Sequence, residues 1–143
     1  MLFRSRIKLA VDVAREHGRK VCFIGRSMVN SSEIAEDLGY IQIPEGLLIQ
    51  PGEMKNFAPQ KVCVLISGTQ GEPMSALSRA AVDNHKHAKI EKGDTVVLSS
   101  RIIPGNEKAI NRLQNALVRL GIEIVTEEDH FVHVSGHPAT WTK

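Results

Sequence analysis

The residues best suited to chemistry in this sequence stand near its C-terminal end, in Phe131-Val132-His133-Val134-Ser135-Gly136-His137-Pro138. An imidazole gives or takes a proton near neutral pH and can also hold a phosphate. His130, His133 and His137 are spaced by three and four residues, which on a helix would make a metal-binding face. The run is strand-like, however, and Gly136 breaks the helical period. In an extended chain His133 and Ser135 share one face, while His137 lies past the glycine in the turn. Pro138 restricts His137 to an extended backbone. Spacing alone leaves His137 open between a hydrogen-bonded turn histidine and a rigidly held proton- or phosphate-handling group.

Three other apolar runs leave in the same manner, into Gly and Ser with polar neighbours: "FIGRSMVN", "LISGTQGEP" and "VLSSRIIPGNE". In an open α/β sheet, ligands bind beyond the carboxyl ends of the strands, where small residues let them approach the backbone. Four such exits point to a phosphate-handling crevice, with Gly68, Gln70, Gly71, Glu72, Ser99 and Ser100 as candidate lining. "GTQGEPMS" has neither the lysine of a P-loop nor the spacing of a dinucleotide turn. Glu72 reads equally as an acid at a helix start or as a ligand or base partner. A serine hydrolase is disfavoured because no G-x-S-x-G elbow occurs. His17 is expected at a helix end, and His85 and His87 in a solvated polar linker.

The elements that must position these residues alternate. Apolar spacing predicts a helix over residues 4–17, a strand over 20–24 and a helix beginning near Asn30 or Ser31 and ending at Gly39. A loop with a short extended piece at 47–50 follows, then a strand at 61–67 and a helix over 73–84 with Pro73 as its first residue and Met74 on its core face. A strand at 95–99, a helix of about 106–120 capped by Asn106, and strands in "IEIVT" and "HFVHV" complete the series. β-Branched strands alternating with helices predict an α/β domain with three α/β/α layers and a mainly parallel sheet. Residues 1–143 read as one domain of ordinary size.

A formal net charge of +2 is too small for a duplex-DNA binder but permits a local basic patch. An aromatic share of 4% argues against a base-stacking platform. Cys22 and Cys63 sit in apolar runs and read as buried thiols of a reduced, cytoplasmic protein. No secretory leader and no membrane span are expected.

Taken together, "GRKVCFIGRSM", "SGTQGEPMSALSRAA", "GDTVVLSSRIIPGNEKAI" and "VHVSGHP" resemble the β-CASP domain of the ribonuclease J family, over nearly the whole chain. These are RNA nucleases of metallo-β-lactamase fold. The resemblance implies an enzyme that cuts RNA internally and degrades it from the 5′ end, using two zinc ions to activate a water. It implies single-stranded RNA with 5′-monophosphorylated ends as partner, and a homo-oligomeric parent. By the same match His133, Val134, Ser135, Gly136 and His137 contact the RNA backbone. His137 would act as the catalytic residue that stabilises or protonates the phosphate and leaving group. The family's H-x-H-x-D-H metal motif, its "PVHGE"-type motif and its "SDSTN"-like stretch are absent, and Pro138 stands where the family has alanine. The chain therefore resembles an excised domain, with no bound metal and no nuclease activity expected on its own. The alternative is a stand-alone nucleotide- or phosphate-binding module without catalysis; a small-molecule hydrolase is a third.

Overall fold

The computed structural model describes residues 2–98 and 103–126, with side chains described from Arg6 onward. Helix α1 (Leu2–Glu16) is followed by strand β1 (Lys20–Ile24) and helix α2 (Arg26–Asp37). Two short 3-10 turns, Pro51–Asn56 and Pro59–Lys61, lead into β2 (Val62–Ile66). Helix α3 (Ala76–Ala81), β3 (Thr95–Leu98), α4 (Glu107–Arg119) and β4 (Glu123–Thr126) follow. The α/β class expected from the alternation is the one observed, and all described strand pairs are parallel. No helix among the described residues is long and apolar enough to cross a membrane.

Strands β1 and β2 pair from Lys20↔Val62 to Ile24↔Ile66, and β3 and β4 from Thr95↔Glu123 to Leu98↔Thr126. The extended piece at 47–50 is reduced to a parallel bridge, Val21↔Leu48, on the edge of β1 away from β2. Alternate residues of each strand feed opposite layers. Val21, Phe23 and Cys63 pack with Ile7, Val11 and Ala14 of α1 and with Met28 and Ala35 of α2. Cys22, Ile24 and Val62 pack with Ala76 and Ala80 of α3 and Ile49. Val96 and Leu98 join Leu77 of α3 and Leu113 and Leu117 of α4. Helices α1 and α2 thus cover one face of β1–β2 and α3 the other, while α3 and α4 pack against β3–β4; the one sheet expected from the sequence is present among the described residues as two separate parallel pairs.

Two helices depart from the sequence expectation. Helix α2 starts at Arg26, directly after Gly25, and not near Asn30. Ser32 lies inside it, with its hydroxyl donating to the Val29 carbonyl at 2.8 Å, a bond that satisfies a serine within a helix as well as at its start. Helix α3 begins at Ala76, not Pro73, and Met74 is 82% exposed. The cap is Ser75, whose Oγ accepts from Ser78 N at 3.3 Å.

Candidate functional site

The stretch from Ser67 to Ser75 is built from consecutive turns. Gly71 N–H donates to the Gly68 carbonyl at 3.1 Å, and Ser75 N–H to the Glu72 carbonyl at 3.0 Å. Ser75 Oγ–H also donates to that carbonyl, at 2.7 Å. Leu77 N–H closes back onto the Ser67 carbonyl at 3.0 Å, so the start of α3 is tied to the end of β2. Gly68 has φ +119, and a Cβ there would lie 2.7 Å from Ser75 Cβ. Gly71 has φ +77, and its Cβ would lie 2.6 Å from the carbonyl carbon and oxygen of Ala109. Both glycines are required: one by the closed turn, the other because the loop lies directly on the first turns of α4.

Gln70 is the joint. Its Oε1 accepts from Ile103 N–H at 3.0 Å and from Asn106 Nδ2 at 3.3 Å. This clamps the loop after β2 to the segment that enters α4. Asn106 stands at the N-cap of α4 but makes no side-chain capping bond, and its Nδ2 donates to Gln70; Glu107 Oε2 accepts from Gly105 N–H at 2.9 Å. The structure brings together Gly68, Gln70, Gly71 and Glu72 beside the exit that follows β3. Glu72 precedes α3 by four residues, so it does not serve as an acid in that helix's first turn; its side chain is exposed and lines a cleft. Ser99, Ser100 and the run His133, Val134, Ser135, Gly136 and His137 lie outside the described residues.

The cleft has a volume of about 830 Å³. Its wall is mostly apolar, and its margin carries Arg6, Lys55, Lys86 and Lys89 against Glu72 and Glu91. Lys89 also pairs with Asp83 at 3.2 Å, an exposed contact of little energetic weight. The surplus of cations favours an anionic partner. Arg6 was not anticipated: its Nε is buried without a hydrogen-bond partner and belongs to the cleft lining. No periodicity marks it, since it flanks the apolar stripe of its helix.

His17 and His85 take structural roles. His17 Nδ1 lies 2.9 Å from the Val13 carbonyl. His85 Nδ1 accepts from the backbone N–H groups of His87 and Ala88 at 3.2 and 3.0 Å. Desolvation, then Arg79 and His87, lower its pKa, consistent with this acceptor role. Among the described residues no group of three or more His, Cys, Asp or Glu could hold a metal. These residues therefore do not fit a zinc pair, and no step through zinc is assigned to them.

Residues 3–117 match the family described as the β-CASP domain of ribonuclease J. The chain is 46% identical over 132 residues to ribonuclease J of Corynebacterium glutamicum, covering 92% of this chain and 18% of that protein. It is 42% identical over 133 residues to ribonuclease J of Mycobacterium tuberculosis, covering 93% of this chain and 24% of the relative. With ribonuclease J 1 of Streptococcus pyogenes the identity is 38% over 132 residues, with 92% and 24% covered. The chain thus spans about a fifth to a quarter of the length of these relatives.

Proposed function

The chain belongs to the ribonuclease J β-CASP domain family, and from that premise we propose that it is the RNA-engaging part of a zinc-dependent ribonuclease. The longer enzyme cuts RNA internally and from the 5′ end, and residues 1–143 alone do not cleave. The observation that carries this reading is the Gln70 clamp. It fixes two strand-exit loops side by side at the carboxyl end of the sheet, where an α/β fold takes its ligand. Arg6 and the lysines supply positive charge nearby.

In this reading His133, Val134, Ser135, Gly136 and His137 contact the RNA backbone, and His137 stabilises or protonates the phosphate and leaving group. A bound zinc pair supplies an activated water, from ligands elsewhere in the enzyme. The enzyme acts as a homo-oligomer in the cytoplasm on 5′-monophosphorylated single strands.

The test is binding of 5′-monophosphorylated single-stranded RNA to this chain, by fluorescence anisotropy across a salt series. Weak affinity that falls steadily with rising salt is expected. Salt-independent binding, or preference for a free nucleotide over RNA, would favour a nucleotide-binding module and overturn the RNA-engaging reading. In the intact enzyme, His137→Ala should slow cleavage with zinc content unchanged; loss of zinc would contradict its role.

A further inference from the structure

Two short stretches beyond the carboxyl ends of β2 and β3 share one construction. Glu72-Pro73-Met74-Ser75 follows β2, and Ile103-Pro104-Gly105-Asn106 follows β3. Each is a four-residue turn closed by the N–H of its last residue on the carbonyl of its first. Ser75 N–H donates to Glu72 at 3.0 Å, and Asn106 N–H to Ile103 at 3.0 Å. Proline takes the second position in both, where its fixed φ suits the turn. Gly105, in third position, has the positive φ of +99 that a type II turn requires there. Each turn ends on the N-cap of the following helix, Ser75 for α3 and Asn106 for α4. The crests of the turns are exposed and mostly apolar. Met74 is 82% and Ile103 55% exposed, and Glu72, Pro73, Pro104 and Gly105 are exposed with them.

Gln70 ties one turn to the other. Its Oε1 accepts from Ile103 N–H at 3.0 Å and from Asn106 Nδ2 at 3.3 Å, so it holds the second turn at its first and last residues. A backbone N–H can only donate, which sets the oxygen of the Gln70 amide, and not its nitrogen, on this side. The first turn begins two residues after Gln70, and Gly71 between them lies against Ala109 of α4. At its far end Leu77 N–H reaches the Ser67 carbonyl at 3.0 Å. The bond from Ile103 is exposed to solvent, and the contact of Gly71 with α4 already joins the loops. What Gln70 adds is the register of the two crests. With φ set by proline and the bases held, little backbone freedom remains to be lost when a ligand binds.

We propose that the two proline turns form one RNA-contact surface, with Gln70 as the positioning residue that sets their spacing through its Oε1. This deepens the RNA-engaging reading and rests on it. Residues 72–74 and 103–105 carry no lysine or arginine. The surface therefore suits the uncharged parts of a nucleotide, base and ribose, and not the phosphate. Unpaired bases of a single strand are open to such contacts. A methionine side chain adapts to an irregular surface, and the Glu72 carboxylate can accept from the amino group of a base. Neutral contacts release no counterions, so they add to affinity without adding to its salt dependence. Gln70 acts here through Ile103 and Asn106 and not by touching RNA. Base and ribose contacts do not change as a phosphodiester is cut. Loss of the register thus weakens ground state and transition state alike, which raises KM and leaves kcat.

The experiment is steady-state cleavage of a 5′-monophosphorylated single-stranded RNA by the longer enzyme that contains this chain, with thermal unfolding of each variant alongside. Gln70→Leu is similar in size and removes the acceptor; it should raise KM on the order of tenfold with kcat within about twofold. Gln70→Glu keeps an acceptor for both donors and should bring KM to within about threefold of the wild type. Met74→Ser changes an exposed crest; it should raise KM with the unfolding midpoint and the salt slope of RNA affinity unchanged. An unchanged KM in Gln70→Leu or in Met74→Ser overturns the proposal. So does a fall in kcat at constant KM, a Gln70→Glu enzyme no better than Gln70→Leu, or a shallower salt slope in Met74→Ser. A wild-type enzyme that does not bind RNA overturns the RNA reading and this one with it, whereas normal wild-type cleavage with unaffected variants overturns the positioning role alone.

Discussion

Gly71 shows how much rests on the absence of one side chain. Its φ of +77 and its approach to the Ala109 carbonyl both exclude a Cβ. Gly71→Ala should destabilise the protein by roughly 1–3 kcal/mol, from the strained backbone alone, and more if α4 is forced aside. Urea unfolding measures this; an unchanged midpoint would mean that the loop does not lie on α4. The sequence made Gly71 visible as a member of a glycine-rich exit, but for a different reason. It was legible as a place where a ligand meets backbone, whereas the structure shows another part of the protein meeting it. Gln70 was equally legible as a crevice residue, and its role as a clamp was not, because its partners Ile103 and Asn106 are more than thirty residues away.

At the scale of elements, α4 follows the sequence closely and α3 does not, and packing explains both. Helix α4 has a long apolar stripe, with Ile110, Leu113 and Leu117 all buried. Leu117 is 0% exposed and contributes to the cluster that holds α3, α4 and β3 together. Leu117→Ala should cost about 2–5 kcal/mol through lost burial and a residual cavity. The loss is read as a lower midpoint of chemical denaturation; a change below about 1 kcal/mol would show that the cluster collapses around the gap. Helix α3 is only six residues long. Pro73 suits a helix start, but Ser75 takes the capping bond and the preceding residues are committed to turns that reach back to β2. A proline signals that a helix can start nearby; which residue starts it is set by the hydrogen bonds on offer.

For the molecule as a whole, the two cysteines report on both layers of the core. Cys63 packs on the side of α1 and α2, and Cys22 on the side of α3. Burial, with Glu53 adding to it, pushes the Cys22 thiol from its ordinary 9.0 up to about 12. Burial also pushes Cys63 up to about 11, with Arg19 acting in the opposite sense. Protons are thus held more tightly in the folded state than in the unfolded chain. This stabilisation is complete below about pH 9 and is lost as pH rises through about 11 to 12. Unfolding free energy should therefore decline above pH 9, and at pH 8 neither thiol should react with a disulfide reagent until the protein is denatured. Rapid thiol reaction in the native protein would contradict the packing. By itself the sequence determined the α/β class, the parallel pairing, the buried cysteines and the family, because periodicity, β-branched runs and glycine-serine exits are local patterns. Only the tertiary structure decided that the described strands form two separate parallel pairs, that Arg6 lines the cleft and that Gln70 joins two loops. Those features depend on which distant residues become neighbours, and hydrogen-bond partners and strand order leave no periodic trace in the chain.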